Sequence, residues 1–498
     1  MVLQEEQLRI IFGLKLKQIR TERGLSLFGL SKKTQLSKSY LNEIEKGKKY
    51  PKPDKILALA KALEVEYDEM VSMKLSGSMA PLSDIILSGI LKEIPLELFG
   101  IEESNLIDII AGAPDKVSAF ISTLFEMTRH YQVSRENFYL AALRSYQESH
   151  QNYFPDLEQA VRDFARLYQL DLQQKVKSAE LAEILKEEFG YKLDEERLAK
   201  EDLPGTLRSL FIPKSTTLLL SPGIPEAQKV FILAKELGYC HLQIEDRPLS
   251  FSWIKFDRFE EVLHNFQASY FAGALVLPED RICTALKSFF KEKQWDSARF
   301  HKLMSEFTDS AETFLQRLTN ILPTHFGLNQ LFFLRLQQNS DSAPVLSKEL
   351  HLSRKHQPQA LTGTINYCRR WLSTDLLLKP KNYYRSGALA LGCQISVYQD
   401  TGEEYLMLGA RENDPVSPNA QRSVVIGLEL NANFKKQVQF HKDPKISTQI
   451  VGTSCETCSV QNCEQRVCPP HRLIKEEQEQ LLQERLKQIL EEETNLNN

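Results

Sequence analysis

The chain has 498 residues, 42% of them hydrophobic and 26% charged, and a net charge of −4. That balance fits a soluble protein of about three or four folded domains and excludes a collagen-like or largely disordered chain. No apolar run approaches the ~20 residues needed to span a bilayer, and the start MVLQEEQLRI lacks the basic-then-apolar layout of a signal peptide, so a cytoplasmic protein with no membrane partner is expected.

In chain order, residues 11–53 come first, with 11 Lys and Arg against 3 acidic residues, a local +8 that leaves −12 for the rest. A segment of that charge suits phosphate. Apolar residues recur there at helical spacing, through Leu14, Leu16 and Ile19, then Leu27 and Leu30, Leu36, Leu41 and Ile44, and Ile56, Leu59, Ala60 and Leu63. Breaks fall at Gly24, at 34–37 and at 47–53, which predicts four or five short helices of a helix-turn-helix domain over 8–72. Ser37 suits an N-cap, Leu41 and Ile44 face the core, and Lys38, Ser39, Asn42 and Glu43 point away from it. Lys46, Lys48 and Lys49 surround Gly47.

Residues 80–200 read as helical and carry no obvious chemistry, with Leu143, Tyr146, His150 and Phe154 near one face. Two short strands and a turn are expected over 205–222, feeding a helix at 230–242, VFILAKELGYCHL, and a second helix follows at 265–278, NFQASYFAGALVLP. From about 345 the pattern alternates with period two, and CQISVYQDTGEEYLML predicts a hairpin across Asp400 to Gly402; SVVIGLEL is a further strand. The chain closes with an amphipathic helix whose Ile474, Leu482, Leu486 and Ile489 could pack on the body or on a second subunit.

Cys455, Cys458, Cys463 and Cys468 place half of the eight cysteines within 14 residues. Thiols stay reduced in a cytoplasm, and four at this spacing suit tetrahedral zinc, an iron–sulfur cluster, or a set of free or transiently oxidised thiols. His471 is a substitute ligand. The basic residues Arg354, Lys355, Arg369 and Arg370 could meet phosphates or form a solvated face.

Two resemblances add to this reading. LSKSYLNEIEKGKKYPKP resembles the recognition helix and following loop of the Cro/C1 (XRE) helix-turn-helix family. The likeness implies double-stranded DNA as a partner, with Ser37, Lys38, Ser39, Asn42 and Glu43 at the base edges and Lys46, Lys48 and Lys49 on phosphate. Leu27 stands where that family often has Gln. The 230–242 helix resembles the metal-binding helix of the ImmA/IrrE metallopeptidase-like family, whose H-E-x-x-H places two histidines one turn apart beside a water-activating glutamate. Glu236 is kept, but Lys235 and Tyr239 occupy the histidine positions. The second helix resembles the family's E-x-x-A-N-x-F-A-x-x-L-L-M-P helix, with the third ligand position assigned to Gln267. An ammonium repels zinc, and a phenol and a neutral amide bind it poorly, so no catalytic metal and no peptidase activity are expected.

The expected fold is therefore multidomain, mainly α with α+β parts: an all-α helix-turn-helix domain over 8–72, a helical region over 80–200, a degenerate zincin-like α+β domain over 201–345, a C-terminal α/β sheet domain with the cysteine cluster over 346–473, and an amphipathic helix over 474–498. This order resembles the short-chain fatty acyl transcriptional regulators. It implies a dimeric regulator whose cleft binds a small effector such as an acyl-CoA, through Lys235, Tyr239, Gln267, Arg354, Arg369 and Arg370. A redox or metal sensor working through the cysteines, and a residual peptidase using Glu236, are the alternatives.

Overall fold

The computed structural model describes residues 2–75, 135–200, 207–249, 256, 258–339, 342–352, 365–379, 385–386, 389–413 and 420–496. The chain divides into two compact units, residues 1–146 with 257–259, and residues 147–256 with 260–498. It is multidomain, with an all-α N-terminal part followed by α+β parts.

The first unit opens with the helices α1 (Val2–Glu22), α2 (Leu27–Thr34), α3 (Lys38–Glu45), α4 (Pro53–Leu63) and α5 (Tyr67–Val71). Their apolar faces close one core around Leu16, Leu30, Leu41, Ile44, Leu59 and Met70. Burial of such side chains is the main stabilising term for so small a bundle. At Gly13 helices α1 and α3 nearly touch: a Cβ there would lie 2.3 Å from the carbonyl oxygen of Ile44. Arg20 fastens the same two helices, its Nε and Nη2 lying 2.6 and 2.9 Å from the Glu45 carboxylate while Nη1 donates to the Leu25 carbonyl.

The second unit begins with α6 (Pro155–Leu167) and α7 (Ser178–Glu187), then a small mixed sheet of β1 (Lys192–Asp194), β2 (Ser209–Ile212) and β3 (Thr217–Leu220) in the order β1-β3-β2. Five helices follow: α8 (Glu226–His241), α9 (Phe259–Val276), α10 (Glu279–Phe289), α11 (Ser297–Ser305) and α12 (Ala311–Phe326). Helices α8 and α9 approach closely at Gly238, where a Cβ would stand 3.1 Å from the Phe271 ring. A buried ion pair ties α6 to α12: Arg317 gives two hydrogen bonds to Glu158, at 2.6 and 2.9 Å, and the Tyr270 hydroxyl donates a third at 2.6 Å.

The larger sheet holds β4 (Leu331–Asn339), β5 (Val345–His351), β6 (Arg385–Ser386), β7 (Leu389–Tyr398), β8 (Glu404–Asn413), β9 (Ala420–Glu429) and β10 (Ser447–Val451). The order is β10-β7-β8-β9-β4-β5, with β6 beside β7, and every pairing is antiparallel except that of β10 with β7. Helix α13 (Leu372–Leu378) covers one face around Trp371, Tyr405 and Phe332. Helix α14 (His471–Leu496) ends the described chain.

The hairpin turn at 400–402 and the strand over SVVIGLEL are present as expected. The alternating region, however, starts earlier than residue 345, because β4 already belongs to this sheet. Its sequence LFFLRLQQN opens with four consecutive buried residues and so lacks a period-two signal. Of the helical region expected over 80–200, residues 80–134 lie outside the described residues.

Candidate functional site

The surface expected to meet DNA is built by α3 and the turn after it. Ser37 caps the helix, accepting from the Tyr40 amide at 3.1 Å, and Leu41 and Ile44 are fully buried beneath it. Lys38, Ser39 and Asn42 are consequently exposed on the outer face. The C-terminal end closes with two backbone bonds, Gly47 N to Ile44 O and Lys48 N to Glu43 O, both 2.9 Å. Gly47 has φ +67°, the left-handed conformation this closure requires. The turn throws Lys46, Lys48 and Lys49 outward together. Glu43 is held by Lys49 at 2.8 Å, so these two residues form a pair on the rim of that face. Sequence reading passed over Phe28, which is 58% exposed on α2 with the Lys32 ammonium 4.7 Å above its ring. An exposed aromatic beside the Leu27 position was the available signal.

The second site is the metallopeptidase-like centre between α8 and α9. Lys235 and Tyr239 stand one turn apart on α8 and both face Asn265 of α9. Lys235 Nζ lies 2.5 Å from Asn265 Oδ1, and the Tyr239 hydroxyl lies 3.4 Å from the same oxygen. The third ligand position is therefore Asn265. Gln267, assigned to it from sequence, is two residues further along α9 and so turned by about 200°. The motif itself held the correction: counting back six residues from Phe271 in E-x-x-A-N-x-F-A arrives at Asn265.

Glu236 is not left to a water molecule. Arg247 donates to it at 2.6 Å, the Tyr191 hydroxyl donates at 3.1 Å, and Arg247 also reaches that hydroxyl at 3.0 Å. The guanidinium is wedged between two rings, 3.9 Å from the centre of Phe211 and 4.6 Å from that of Tyr239. Burial works against this charge, but Glu236 and Tyr191 outweigh it and hold Arg247 protonated. Burial pulls the Lys235 ammonium down to about 7, against the pull of Glu236 and with help from Arg247 and Lys348. Burial pushes the Tyr239 and Tyr191 phenols well above their usual range. Nothing in the sequence marked Arg247, which sits alone after the helix.

Lys348 belongs to a second group of charges centred on Glu312 of α12. Arg335 of β4 lies 2.9 Å from that carboxylate, Arg422 of β9 3.2 Å and Lys348 of β5 3.8 Å, and Arg422 also pairs with Glu412 at 3.0 Å. Burial opposes the Glu312 charge, but these cations and Arg208 hold the carboxyl far below its usual range. Among the described residues, the basic groups Arg208, Lys235, Arg247, Arg335, Lys348 and Arg422 thus gather around Glu236, Glu312 and Glu412.

The remaining effector residues expected from sequence are not brought together. Arg354 and Lys355 lie outside the described residues. Arg369 and Arg370 diverge: Arg369 lines a small hollow with Asn366 and Tyr367, whereas Arg370 lines a separate cleft with Lys379 and Lys445.

The cysteine segment is anchored by an antiparallel bridge, Tyr367 opposite Ser454, with Cys368 N donating to Thr453 O at 3.2 Å and Cys455 N to Asn366 O at 2.8 Å. Cys368, 87 positions before Cys455 and absent from the expected quartet, is thereby brought to the cluster. Burial, then the neighbouring Cys458 and Cys455 sulfurs, push its thiol upward against two backbone hydrogen bonds. Cys468 is reached by the Asn366 amide at 3.7 Å, and Cys458 packs so closely on Gly452 that a Cβ there would stand 2.7 Å from its sulfur. Arg466 threads the loop, donating to the carbonyls of Cys455, Cys458 and Val460. Among the described residues, no group of three or more His, Cys, Asp or Glu side chains stands in metal-holding geometry.

With that geometry in view, two family models match. Residues 16–70 match the helix-turn-helix model, and residues 186–319 match the IrrE N-terminal-like domain, a Peptidase_M78 family. The chain carries both domains. With a helix-turn-helix of the XRE type at its N-terminal end, it is a DNA-binding transcriptional regulator. It is similar to the HTH-type transcriptional regulator RamB of two Mycobacterium tuberculosis strains, CDC 1551 / Oshkosh and ATCC 25618 / H37Rv, at 22% identity over 483 residues, covering 92% of this chain and 94% of each relative. Among solved structures, a Mycobacterium tuberculosis transcriptional regulator aligns at 19% identity with a TM-score of 0.45, covering 66% of this chain and 92% of that one. Among the described residues, no helix is long and apolar enough to cross a membrane.

Proposed function

We propose that this regulator answers to an anionic metabolite of the short-chain acyl-CoA class, held beside the abandoned metallopeptidase centre, and that it has no peptidase activity. One observation carries the reading: the gathering of basic groups running from Lys235 to Arg422 in a mostly buried region. Guanidinium and ammonium groups gathered in this way recognise a phosphate-bearing ligand by charge-assisted hydrogen bonds. Peptidase chemistry lacks its parts, because zinc has no ligand at Lys235, and Glu236 is engaged by Arg247 and Tyr191 and not poised over a water. Lys38, Ser39 and Asn42 read base edges, while Lys46, Lys48 and Lys49 hold phosphate.

Acetyl-CoA and propionyl-CoA, titrated into the full chain on labelled operator DNA, are expected to shift DNA affinity, and Arg335→Gln is expected to weaken that response. An affinity that stays constant up to saturating acyl-CoA overturns the proposal. A homodimer is the expected assembly, since two half-sites are read by paired recognition helices. Leu481, Leu482 and Leu486, 72%, 60% and 51% exposed on α14, offer an apolar stripe to a second copy.

A second reading rests on the nearness of Cys368 to Cys455 and Cys458 and of Cys468 to Cys455, thiols that would have to close in to hold a metal. Thiolates are the donors that zinc and iron–sulfur clusters take, and a bound metal would pin the cysteine segment to the sheet. Metal analysis of protein purified under reducing, oxygen-free conditions tests it, with about one equivalent of zinc, or cluster iron, expected.

A further inference from the structure

Beyond both sites, a cleft of about 390 Å³ opens at the β7–β10 edge of the large sheet, a volume within the range of small-molecule pockets. Its lining comes from five separate parts of the second unit. Arg370 and Lys379 flank α13, Lys445 precedes β10, Gln394 and Gln449 sit on β7 and β10, Trp295 precedes α11, and Gln465 arrives from the cysteine segment.

Among the described lining residues are three cations, Arg370, Lys379 and Lys445, and one carboxylate, Asp375, which lies 3.2 Å from Lys379. The Lys445 ammonium has no carboxylate partner among the described residues. The walls are fixed in place. Trp295 packs into Phe300 and Phe440, with ring centres at 5.3 and 5.7 Å, and its amide donates to Asp443 at 2.9 Å. Asp443 also accepts from the Lys445 amide at 2.9 Å, so one carboxylate sets both the aromatic wall and the Lys445 backbone. Gln394, almost fully buried, donates to the Arg370 carbonyl at 3.0 Å and to Ser396 Oγ at 2.9 Å. Arg370 in turn leans on the Ile450 carbonyl at 3.3 Å.

We infer that this cleft binds a small, multiply charged oxyanion, a polycarboxylate or a phosphorylated metabolite, as a co-effector distinct from the ligand of the metallopeptidase-like centre. Guanidinium and ammonium groups from two segments recognise such oxygens by charge-assisted hydrogen bonds, and the amides of Gln449 and Gln465 satisfy those remaining. Because Gln465 lies between Cys463 and Cys468, an occupied cleft fastens the cysteine segment to the sheet edge.

Citrate and pyrophosphate are to be titrated into the full-length protein at constant ionic strength, with potassium chloride as the blank, following tryptophan emission and heat. A saturable signal is expected for at least one of them, with Trp295→Phe removing the emission change but not the heat. Arg370→Gln and Lys445→Gln are each expected to weaken binding about tenfold, and Lys445, being exposed, leaves folding untouched. Arg335→Gln, in the other cluster, is expected to leave this titration unchanged. Slower alkylation of Cys463 and Cys468 in the bound protein is the coupled readout. Responses that match the chloride blank, or both cleft variants binding as the parent does, overturn the inference. Citrate or pyrophosphate binding that persists while acyl-CoA has no effect would remove the acyl-CoA reading and leave this one standing.

Discussion

The Arg247 guanidinium lies 2.6 Å from the Glu236 carboxylate, with both side chains about nine-tenths buried. In a working zincin the corresponding carboxylate faces a metal-bound water; here a cation from the same chain has taken over its charge. Removing one partner of such a pair leaves the other buried and uncompensated. Arg247→Met is therefore expected to cost about 3–5 kcal/mol, read from urea unfolding. Glu236→Gln should destabilise as well, so it acts on folding before it acts on any proteolysis. A fully stable Arg247→Met protein would show that the pair is incidental.

Zinc binding can be used to locate the third ligand position. Lys235→His with Tyr239→His and Asn265→Glu, in an Arg247→Ala background, is expected to bind one equivalent of zinc. The same set with Gln267→Glu in place of Asn265→Glu should not. Equal zinc content in the two would contradict the geometry around Asn265 Oδ1.

The Lys235 ammonium gives a pH dependence whose sign follows from its lowered value. Its ordinary value is 10.5 and its folded value about 7. Between those limits the unfolded chain binds more protons than the folded one, so this group makes stability rise with pH across that window and adds no slope below it. Anion binding has the opposite trend, because only the protonated amine attracts the ligand. Acyl-CoA affinity should fall as pH climbs through about 7, and Lys235→Met should flatten that fall. Calorimetry at pH 6, 7 and 8 on both proteins measures it.

On the recognition helix, Lys38→Ala and Asn42→Ala are expected to lose about 1–3 kcal/mol each of operator preference. Lys48→Ala should weaken all sequences alike and lower the salt slope by about one. Gel shifts at three salt concentrations separate the two behaviours, and three unchanged affinities would take this face out of DNA recognition.

If the cysteine segment binds metal, Cys368→Ser should release it as fully as Cys455→Ser does, and the two metal contents can be compared directly. Retention of metal in Cys368→Ser alone would confine the ligands to the 455–468 run.

What was legible in the sequence was local. Ser37, Leu41, Ile44 and Gly47 announce the capped helix α3 because each acts within one turn, and Asp400 to Gly402 announces its hairpin for the same reason. What was hidden depends on distance along the chain. Arg247 looks like any loop arginine until folding lays it on Phe211. Glu158 and Arg317 are 159 positions apart, and Cys368 gives no spacing signal with Cys455. Strand β4 escaped because burial on both faces erases the alternation that marks a half-exposed strand. Asn265 is the exception, since its place six residues before Phe271 is local to α9.

Helix α12 carries Glu312 near its start, gripped by Arg335 and Arg422 of the sheet, and Arg317 a turn and a half later, gripped by Glu158 of α6. Each grip is a charged contact that resists sliding, since parting either strands an ion in a dry place. The helix thus behaves as a bolt thrown into two keepers. A ligand that competes for Arg335 or Arg422 therefore acts on one end of α12 alone, the other end keeping its own keeper in Glu158.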